Sequence, residues 1–458
     1  MLLDLINNVA QAIGEFGMHL LFFDVLFFVD GQKVEFLMAF IVFSSILFMV
    51  WLKFPNVKFF ASLFKILLCK SYEKVELRNA IGSQKAFWSS IAGCVGVGNI
   101  TGMCAAVYFG GPGTVFWIMV CGFITMPLRY VEVFFGHKLR TQEDGFITEC
   151  GPFSYFHHAL NLVGLQSSNW LKIFAFLFIF AGIGALSIQV NPMVSVIAGT
   201  GNQTLKYITT AILCVIIFYV ITGGLKRISA VAAKLGVCMS ALYVVSVCVV
   251  ICANKSNLLN AILLIFHEAF NMKSIYGGIL TMIFLSFRRA IVSTEVGFGT
   301  TSLLHGRSDR SSSKDEAKLA MVAPFFGNLI FCSLNGLMLV ASGAFTHGNG
   351  DIETMRFAFV QFYPLMNYVL IVIILLFGFS TIITWFYYAN SALKRITSKR
   401  VIIKTLPFLY CVLMFISALT TFSNLLLIID FTTLLITIPN IMALIYLTYR
   451  FKKKGEIS

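Results

Sequence analysis

A short glycine-rich stretch is the first feature of this sequence whose residue types suit ligand binding. Residues 92–102 read AGCVGVGNITG, with four glycines and Asn99 among mostly apolar neighbours. The spacing fits a phosphate-binding GxGxxG loop poorly, because three residues separate Gly98 from the next glycine. Two interpretations remain: close packing of helices through the GxxxG of Gly98 and Gly102, or a membrane helix that breaks here. A break would offer N–H groups to a carboxylate and carbonyls to a small cation.

Three hydroxyl side chains lie close together in the apolar segment FGFSTIIT: Ser380, Thr381 and Thr384. In one interpretation, each hydroxyl donates to a carbonyl of the preceding turn, which is common in membrane helices. In the other, the hydroxyls and carbonyls near residues 92–95 are the oxygen ligands of a sodium ion. The residues alone leave both interpretations open.

Two amide side chains, Gln189 and Asn191, precede Pro192 near the outer end of a long apolar run. An amide within a membrane helix needs a partner, and hydrogen bonds between helices contribute about 0.6 kcal/mol each. The two amides therefore either join neighbouring helices or contact the amino or carboxyl group of a ligand. Asn99 is expected to bind a ligand or to brace the break.

Acidic side chains within the apolar segments are few. Asp430, in LLLIIDFTTLL, is expected to line an ion pathway, or to form a gate or a structural pair. Glu295 follows two arginines in a predicted loop on the cytoplasmic side, where we expect an inner gate or a loop brace. Glu132 follows Arg129 by three residues, a spacing that predicts an ion pair on a helix surface.

The composition shows that these side chains must be positioned by membrane helices. Of 458 residues, 58% are hydrophobic and only 12% are charged, whereas soluble domains have about one quarter charged. Spans need about 20 apolar residues each. Eleven are predicted, at residues 36–53, 84–109, 114–137, 169–197, 204–222, 228–252, 260–289, 318–343, 366–391, 400–419 and 424–449.

The formal charge of +14 does not indicate a nucleic-acid partner, because the basic residues lie between the spans. With the segment 53–85 inside, all but five of the 34 Lys and Arg residues fall on the cytoplasmic side. This places the N-terminus outside and the C-terminus inside. The eleven cysteines show no CxxC pattern, which argues against a metal site or a disulfide framework. No nucleophile–base pair, Walker motif or cofactor motif is visible, so neither an enzyme nor an organic cofactor is expected.

The number of spans suggests an internal repeat. One peripheral helix followed by ten divides into two fives, and an odd number per half gives the halves opposite orientations, as in inverted-repeat transporters. The predicted units are 1–82, 83–252 and 253–458. The counterpart of the first break is expected at Gly277 and Gly278, in the first helix of the second half.

Several ordered blocks carry a family resemblance. The segment IAGCVGVGNITGMCAAVYFGGPGTVFW resembles the signature region of the alanine or glycine:cation symporters, also called sodium:alanine symporters. The likeness recurs in CGPFSY, SIQVNP, RRAIVSTEVGFGTT and FGFSTIITWFYYANSAL. It departs from the family pattern at Val97, which is usually threonine, and within STEVGFGTT, which is usually SNEAGLGSA.

The resemblance implies an all-α, leucine-transporter-like fold in a lipid bilayer, with ten core helices and one extra N-terminal helix. It implies sodium-coupled import of a small neutral amino acid, alanine or glycine, across a bacterial cytoplasmic membrane. The alternatives are a proton-coupled or uncoupled amino-acid carrier of the same fold, and a non-concentrating transporter-like receptor or channel. The oligomeric state stays open. The implied sodium ligands come from Ala92, Val95, Ser380, Thr381 and Thr384, and the implied substrate contacts from Val97, Gly98, Asn99, Gln189, Asn191, Gly277 and Gly278.

Overall fold

Long apolar helices form most of the molecule, as the composition predicts. The structure is a computed structural model and describes residues 2–21, 23–24, 35–60, 73–199, 202–271 and 279–457. Before residue 254 the helices described over their full length are α1 (Leu2–Leu21), α2 (Phe36–Trp51), α3 (Ser83–Cys94), α4 (Val97–Gly110), α5 (Thr114–Lys138), α6 (Pro152–Val163), α7 (Ser167–Ala198), α8 (Gln203–Thr222) and α9 (Gly224–Ala253).

Nine more helices of the described chain follow residue 254. They are α10 (Lys255–Ala269), α11 (Ile279–Thr294), α12 (Thr300–His305), α13 (Ser313–Ala341), α14 (Ile352–Phe362), α15 (Met366–Ile396), α16 (Arg400–Leu419), α17 (Phe422–Leu435) and α18 (Thr437–Lys453). Within α13, residues Phe325–Cys332 form a π-helical segment, and a short 3₁₀ turn follows at Ala344–Thr346.

Nine helical segments of the described chain are long and apolar enough to cross a membrane, counting α3 with α4 and α17 with α18 as single spans. The shorter apolar helix α2 is a further candidate. The prediction of an all-α, multi-pass membrane protein is therefore confirmed. The predicted continuous span 260–289 is wrong, because α10 ends at Ala269 and α11 begins only at Ile279.

One small β-hairpin interrupts the helices and was not predicted. Strands β1 (Thr141–Glu143) and β2 (Phe146–Glu149) pair antiparallel. Asp144 and Gly145 connect them with positive φ angles of 50° and 74°, which glycine and aspartate tolerate better than most residues. The hairpin follows the end of α5 directly.

One end of the molecule carries a cluster of basic side chains. Helices α5, α15 and α18 all finish with basic residues in their last turns, including Lys138, Lys394 and Lys452. Cations there interact favourably with the partial negative charge of a helix C-terminus. We call this end, together with the β-hairpin, the basic end, and the other the opposite end.

Helix packing places α3 and α4 at the centre. Helix α3 packs against α9, α12 and α15, while α4 packs against α11. Helix α7 packs along both α15 and α17, and α11 packs on α5. The span formed by α3 and α4 is the most enclosed of the nine, with 94% of its apolar window buried. Such enclosure allows irregular backbone at membrane depth.

Candidate functional site

The first helix break lies in the glycine-rich stretch, as expected. Helix α3 ends at Cys94, and Val95 leaves helical geometry with ψ of 85°. Gly96 is extended, and its N–H donates to Asn99 Oδ1 at 3.2 Å. The next N–H, of Val97, donates to Gln189 Oε1 at 2.8 Å. Side chains thus satisfy backbone donors that the break removes from the helical ladder.

The glycines around this break have different roles. A β-carbon on Gly96 would lie 2.6 Å from Thr381 Oγ1 and 2.9 Å from the amide of Gln189. By contrast, a β-carbon on Gly98 would meet nothing within 4 Å, and one on Gly102 would meet only Arg289, at 4.0 Å. Close helix packing therefore depends on Gly96 rather than on the GxxxG of Gly98 and Gly102.

Three oxygens from two helices gather beside the break. The hydroxyl oxygens of Ser380 and Thr381 lie 3.0 and 3.2 Å from the carbonyl oxygen of Ala92. All three residues are buried. The Ser380 hydroxyl also lies 3.0 Å from the Phe377 carbonyl of its own helix. Among the described residues, Thr384 differs in having its hydrogen bond only within α15, where its hydroxyl donates to the Ser380 carbonyl at 2.8 Å. Val95 lies three residues beyond Ala92, in the break itself.

A second break separates α11 from α12. Glu295, Gly297 and Gly299 all have positive φ angles, of 55°, 91° and 78°, a region that glycine adopts without steric cost. The residues where sequence analysis expected this break, Gly277 and Gly278, lie outside the described residues. The clue was present in the sequence, since STEVGFG contains two glycines two residues apart directly after an apolar run.

The location predicted for Glu295 and its neighbouring arginines is wrong. Arg288 and Arg289 lie within α11 rather than in a loop of the basic end. Glu295 lies in the second break and is only 3% exposed. Its carboxylate accepts hydrogen bonds from Trp385 Nε1 at 2.5 Å and from the Thr300 hydroxyl at 2.7 Å. Among the described residues, no basic side chain forms an ion pair with it.

A buried ion pair holds the second break in place. Arg129 and Glu132 pair at 3.1 Å, and both side chains are fully buried rather than on a helix surface as predicted. Arg129 donates to the carbonyl of Thr294, which ends α11. Glu132 accepts from the N–H of Gly299, which precedes α12, at 2.9 Å. Each charge therefore faces the helix end whose dipole it complements.

We expect Glu132→Gln to destabilise the protein strongly. The substitution keeps the shape and an acceptor for Gly299, but it leaves the Arg129 guanidinium buried without its counter-charge. Removing one partner of a buried pair costs about 3–5 kcal/mol. The measurement is the apparent thermal midpoint of purified protein in detergent. The double variant Arg129→Met/Glu132→Gln is the control and should be more stable than the single variant; equal or lower stability would contradict this account.

A second charged cluster joins α11 to α17 and to the residue preceding α2. Arg289 donates to the Asp430 carboxylate, and Arg288 lies 3.6 Å from the same group. Arg288 also pairs with Glu35, directly before α2. Within the described residues, two cations and two carboxylates thus meet in largely buried surroundings. The position of Asp430 fits the predicted gate or structural pair, while the participation of Glu35 was not predicted.

A small cavity lies where the two breaks meet. Its volume is about 30 Å³, room for roughly two water molecules. Five of the predicted site residues line it: Gly98, Asn99, Gln189, Thr381 and Glu295. The other lining residues are Gly93, Cys94, Gly96, Ala185, Val292, Ser293, Phe298, Trp385, Ile429 and Thr433. Most of these ten come from helices that are distant in the chain, and only tertiary packing brings them to the cavity.

Three of the predicted residues, Val97, Asn191 and Asp430, do not line this central cavity. Val97 contributes its N–H to Gln189, but its side chain is fully buried and does not line the cavity. Asn191 lies two residues further along α7 and donates to the Thr420 carbonyl at 2.8 Å. It lines a separate cavity of about 320 Å³ at the opposite end. Asp430 adjoins the central cavity through its neighbour Ile429.

Comparisons with known proteins agree on one family and one fold. A sequence profile of the sodium:alanine symporter family matches residues 11–454. The sodium/alanine symporter AgcS of Methanococcus maripaludis is 27% identical over 318 residues, which are 68% of this chain and 69% of that protein.

Two solved structures share the architecture. A substrate-bound, outward-open Na⁺-coupled sialic acid symporter matches with a TM-score of 0.51 at 13% identity, over 90% of this chain and 83% of that one. MhsT in complex with L-phenylalanine matches with a TM-score of 0.55 at 12% identity, over 82% of this chain and 89% of that one. These likenesses establish the leucine-transporter-like fold.

Proposed function

The chain belongs to the sodium:alanine symporter family and is a cation-coupled amino-acid symporter; we propose that it imports a small neutral amino acid, alanine or glycine, together with sodium. The observation that supports this most is the polarity of the central cavity. The Glu295 carboxylate lies in its wall, and so does Gly98 in the first turn of α4. A helix N-terminus attracts anions, so the cavity offers opposite charges to the two ends of a zwitterion.

The amide of Asn99 supports the same orientation of the substrate. Its Nδ2 is buried and has no hydrogen-bond partner among the described residues, and a buried donor without a partner is costly. We propose that Asn99 and the first N–H groups of α4 bind the substrate carboxylate. Glu295 then binds the ammonium group. Gln189 stabilises the break because its side-chain oxygen accepts the hydrogen bond from the Val97 N–H.

The remaining wall of the cavity supports a small, uncharged substrate side chain. Ala185, Val292, Phe298 and Ile429 supply apolar surface. With about 30 Å³ available, even a small amino acid requires its neighbours to move outward. A larger or charged side chain would need further rearrangement or would leave a charge desolvated.

Sodium is proposed to bind where the hydroxyls of Ser380 and Thr381 meet the Ala92 carbonyl. Three oxygens are already gathered there, and we propose that Val95 supplies a further carbonyl from the break. Thr384 is the least supported ligand, because its hydroxyl is engaged within α15. Thr381 also lines the central cavity, so ion and substrate would stabilise the same break. Because both ligands stabilise the same break, binding of sodium would favour binding of the substrate.

Transport is proposed to proceed by alternating exposure of the central cavity. The basic end is cytoplasmic in this proposal and the N-terminus is outside, following the distribution of positive charge. The Arg289–Asp430 pair then lies on the outer side of the cavity and acts as a gate. The membrane potential contributes about 2.3 kcal/mol per charge per 100 mV.

We expect purified protein in liposomes to accumulate labelled alanine only with an inward sodium gradient. Replacing external sodium with choline should reduce uptake to the level of protein-free liposomes. Uptake that instead follows an imposed proton gradient would favour a proton-coupled carrier. Binding without accumulation or counterflow would favour a receptor or channel. Competition by unlabelled alanine, glycine, serine and glutamine then ranks the substrates.

A further inference from the structure

A second large cavity lies at the basic end, outside the proposed transport site. Its volume is about 380 Å³, more than ten times that of the central cavity. Residues following α12, the last turns of α15, the start of α9 and the strand β2 form its walls. Along α15, Trp385 lines the central cavity and Tyr387 lines this one. The cavity therefore reaches from near the level of the transport site to the basic end.

Three basic side chains line this cavity: Arg307, Lys394 and Arg395. Arg395 pairs with Glu149 at 3.2 Å. Arg307 contacts only uncharged groups, donating to the Tyr387 hydroxyl at 3.1 Å and to a main-chain carbonyl at 3.4 Å. Within the described residues, neither Arg307 nor Lys394 forms an ion pair, so the wall has two uncompensated positive charges.

This arrangement favours an anion over a zwitterion. A concave wall of one sign concentrates counter-ions, because the surrounding protein has a low dielectric constant. Among the described residues, no carboxylate lines the cavity, so the ammonium group of an amino acid would meet no unpaired counter-charge there. A guanidinium and an ammonium that line one cavity supply the donors and the charge that an oxyanion such as phosphate or sulfate prefers.

We propose that this cavity is a binding site for a phosphate-type oxyanion, with Arg307 and Lys394 as its main ligands. The oxyanion would be either a soluble ion or the headgroup phosphate of an anionic lipid. Arg307 follows α12, the inner half of the second broken helix, whereas Lys394 belongs to the last turn of α15. A bound oxyanion bridges these two elements and holds the basic end closed. Only this effect on opening depends on the proposed transport function; the binding site itself does not.

The test uses a cysteine reporter in the cavity wall. Asn390→Cys places a thiol among the lining residues, and its labelling rate is measured with anionic and cationic thiosulfonate reagents in detergent. Labelling of the parent chain is subtracted to correct for its eleven native cysteines. We expect the anionic reagent to react roughly tenfold faster than the cationic one at low ionic strength. Sulfate should slow both reactions by occupying the site.

Charge removal provides the decisive comparison. Adding Arg307→Gln and Lys394→Gln should bring the ratio of the two rates close to one and abolish protection by sulfate. Lys399→Gln is the matched control, since this exposed lysine follows α15 but does not line the cavity; it should change neither result. A ratio near one in the parent reporter, or equal sulfate protection after charge removal, would overturn the proposal.

The source of the oxyanion is distinguished in lipid nanodiscs without sulfate. If the ligand is a lipid headgroup, nanodiscs containing phosphatidylglycerol should protect the thiol introduced by Asn390→Cys, and phosphatidylcholine alone should not. If the ligand is a soluble ion, neither lipid should protect while added sulfate still does. Either result supports the site, and absence of protection in both arms would refute it. None of these readouts requires sodium-coupled uptake, so their failure is distinct from failure of the proposed transport function.

Discussion

Replacing Thr381 or Ser380 with alanine is expected to raise the sodium concentration for half-maximal uptake by roughly tenfold or more. Each substitution removes one of the oxygens gathered at the Ala92 carbonyl. Losing a hydrogen-bond-sized contact with a charged group costs about 1.5–3 kcal/mol, and 1.4 kcal/mol corresponds to a factor of ten. The measurement is alanine uptake into liposomes as a function of external sodium.

Thr384→Ala is the matched control for this experiment. It removes a hydroxyl from the same helix, but one that donates to the Ser380 carbonyl. Its sodium dependence should stay within about twofold of the wild type, because a hydroxyl bonded within its own helix contributes little here. Substrate affinity at saturating sodium should change much less than sodium affinity in the two test variants. Weakened alanine binding with unchanged sodium dependence would place the cation site elsewhere.

Coupling gives this prediction a second, independent check. If sodium and substrate stabilise the same break, sodium must tighten alanine binding by the same factor by which alanine tightens sodium binding. Both isotherms can be measured by equilibrium binding to purified protein. In Thr381→Ala the half-saturating sodium should rise while this reciprocity is preserved. Independent binding in the wild type would contradict coupling through the break.

Gly96→Ala is expected to reduce uptake to background. The added β-carbon would lie 2.6 Å from Thr381 Oγ1 and 2.9 Å from the Gln189 amide, so both side chains must shift. Overpacking of this kind costs about 1–3 kcal/mol. It disturbs a proposed sodium ligand and the acceptor for the Val97 N–H together. The backbone itself is not the obstacle, because Gly96 has a φ of −108°.

The same substitution six residues later, at Gly102 within α4, provides the control. A β-carbon at Gly102 would meet only Arg289 Cδ at 4.0 Å, an ordinary contact. Gly102→Ala should therefore retain at least half of wild-type uptake. Both variants should insert in the membrane and elute as monodisperse protein in detergent, which separates lost transport from lost folding. Substantial uptake by Gly96→Ala would show that the contact with Thr381 and Gln189 can relax freely.

The sequence predicted best those features that depend on composition or on a few neighbouring residues. Composition alone specified membrane helices, and the glycines around Gly96 specified the first break, because glycine disfavours a helix wherever it occurs. The position of Ser380 and Thr381 beside that break was anticipated through the resemblance to symporters. The division into units at residues 82 and 252, and the orientation in the membrane, stay predictions.

Tertiary packing decided the other half of the site. The second break holds Glu295 beside the first, although nothing near Glu295 in the sequence shows that α11 and α4 meet. Arg129 and Glu132 have the spacing of an ordinary surface pair, and only the approach of the second break converts them into its buried support. Asn191, although only two residues from Gln189, faces a different cavity. Local sequence thus determined where the backbone can open, while contacts between residues distant in the chain determined which charges surround that opening.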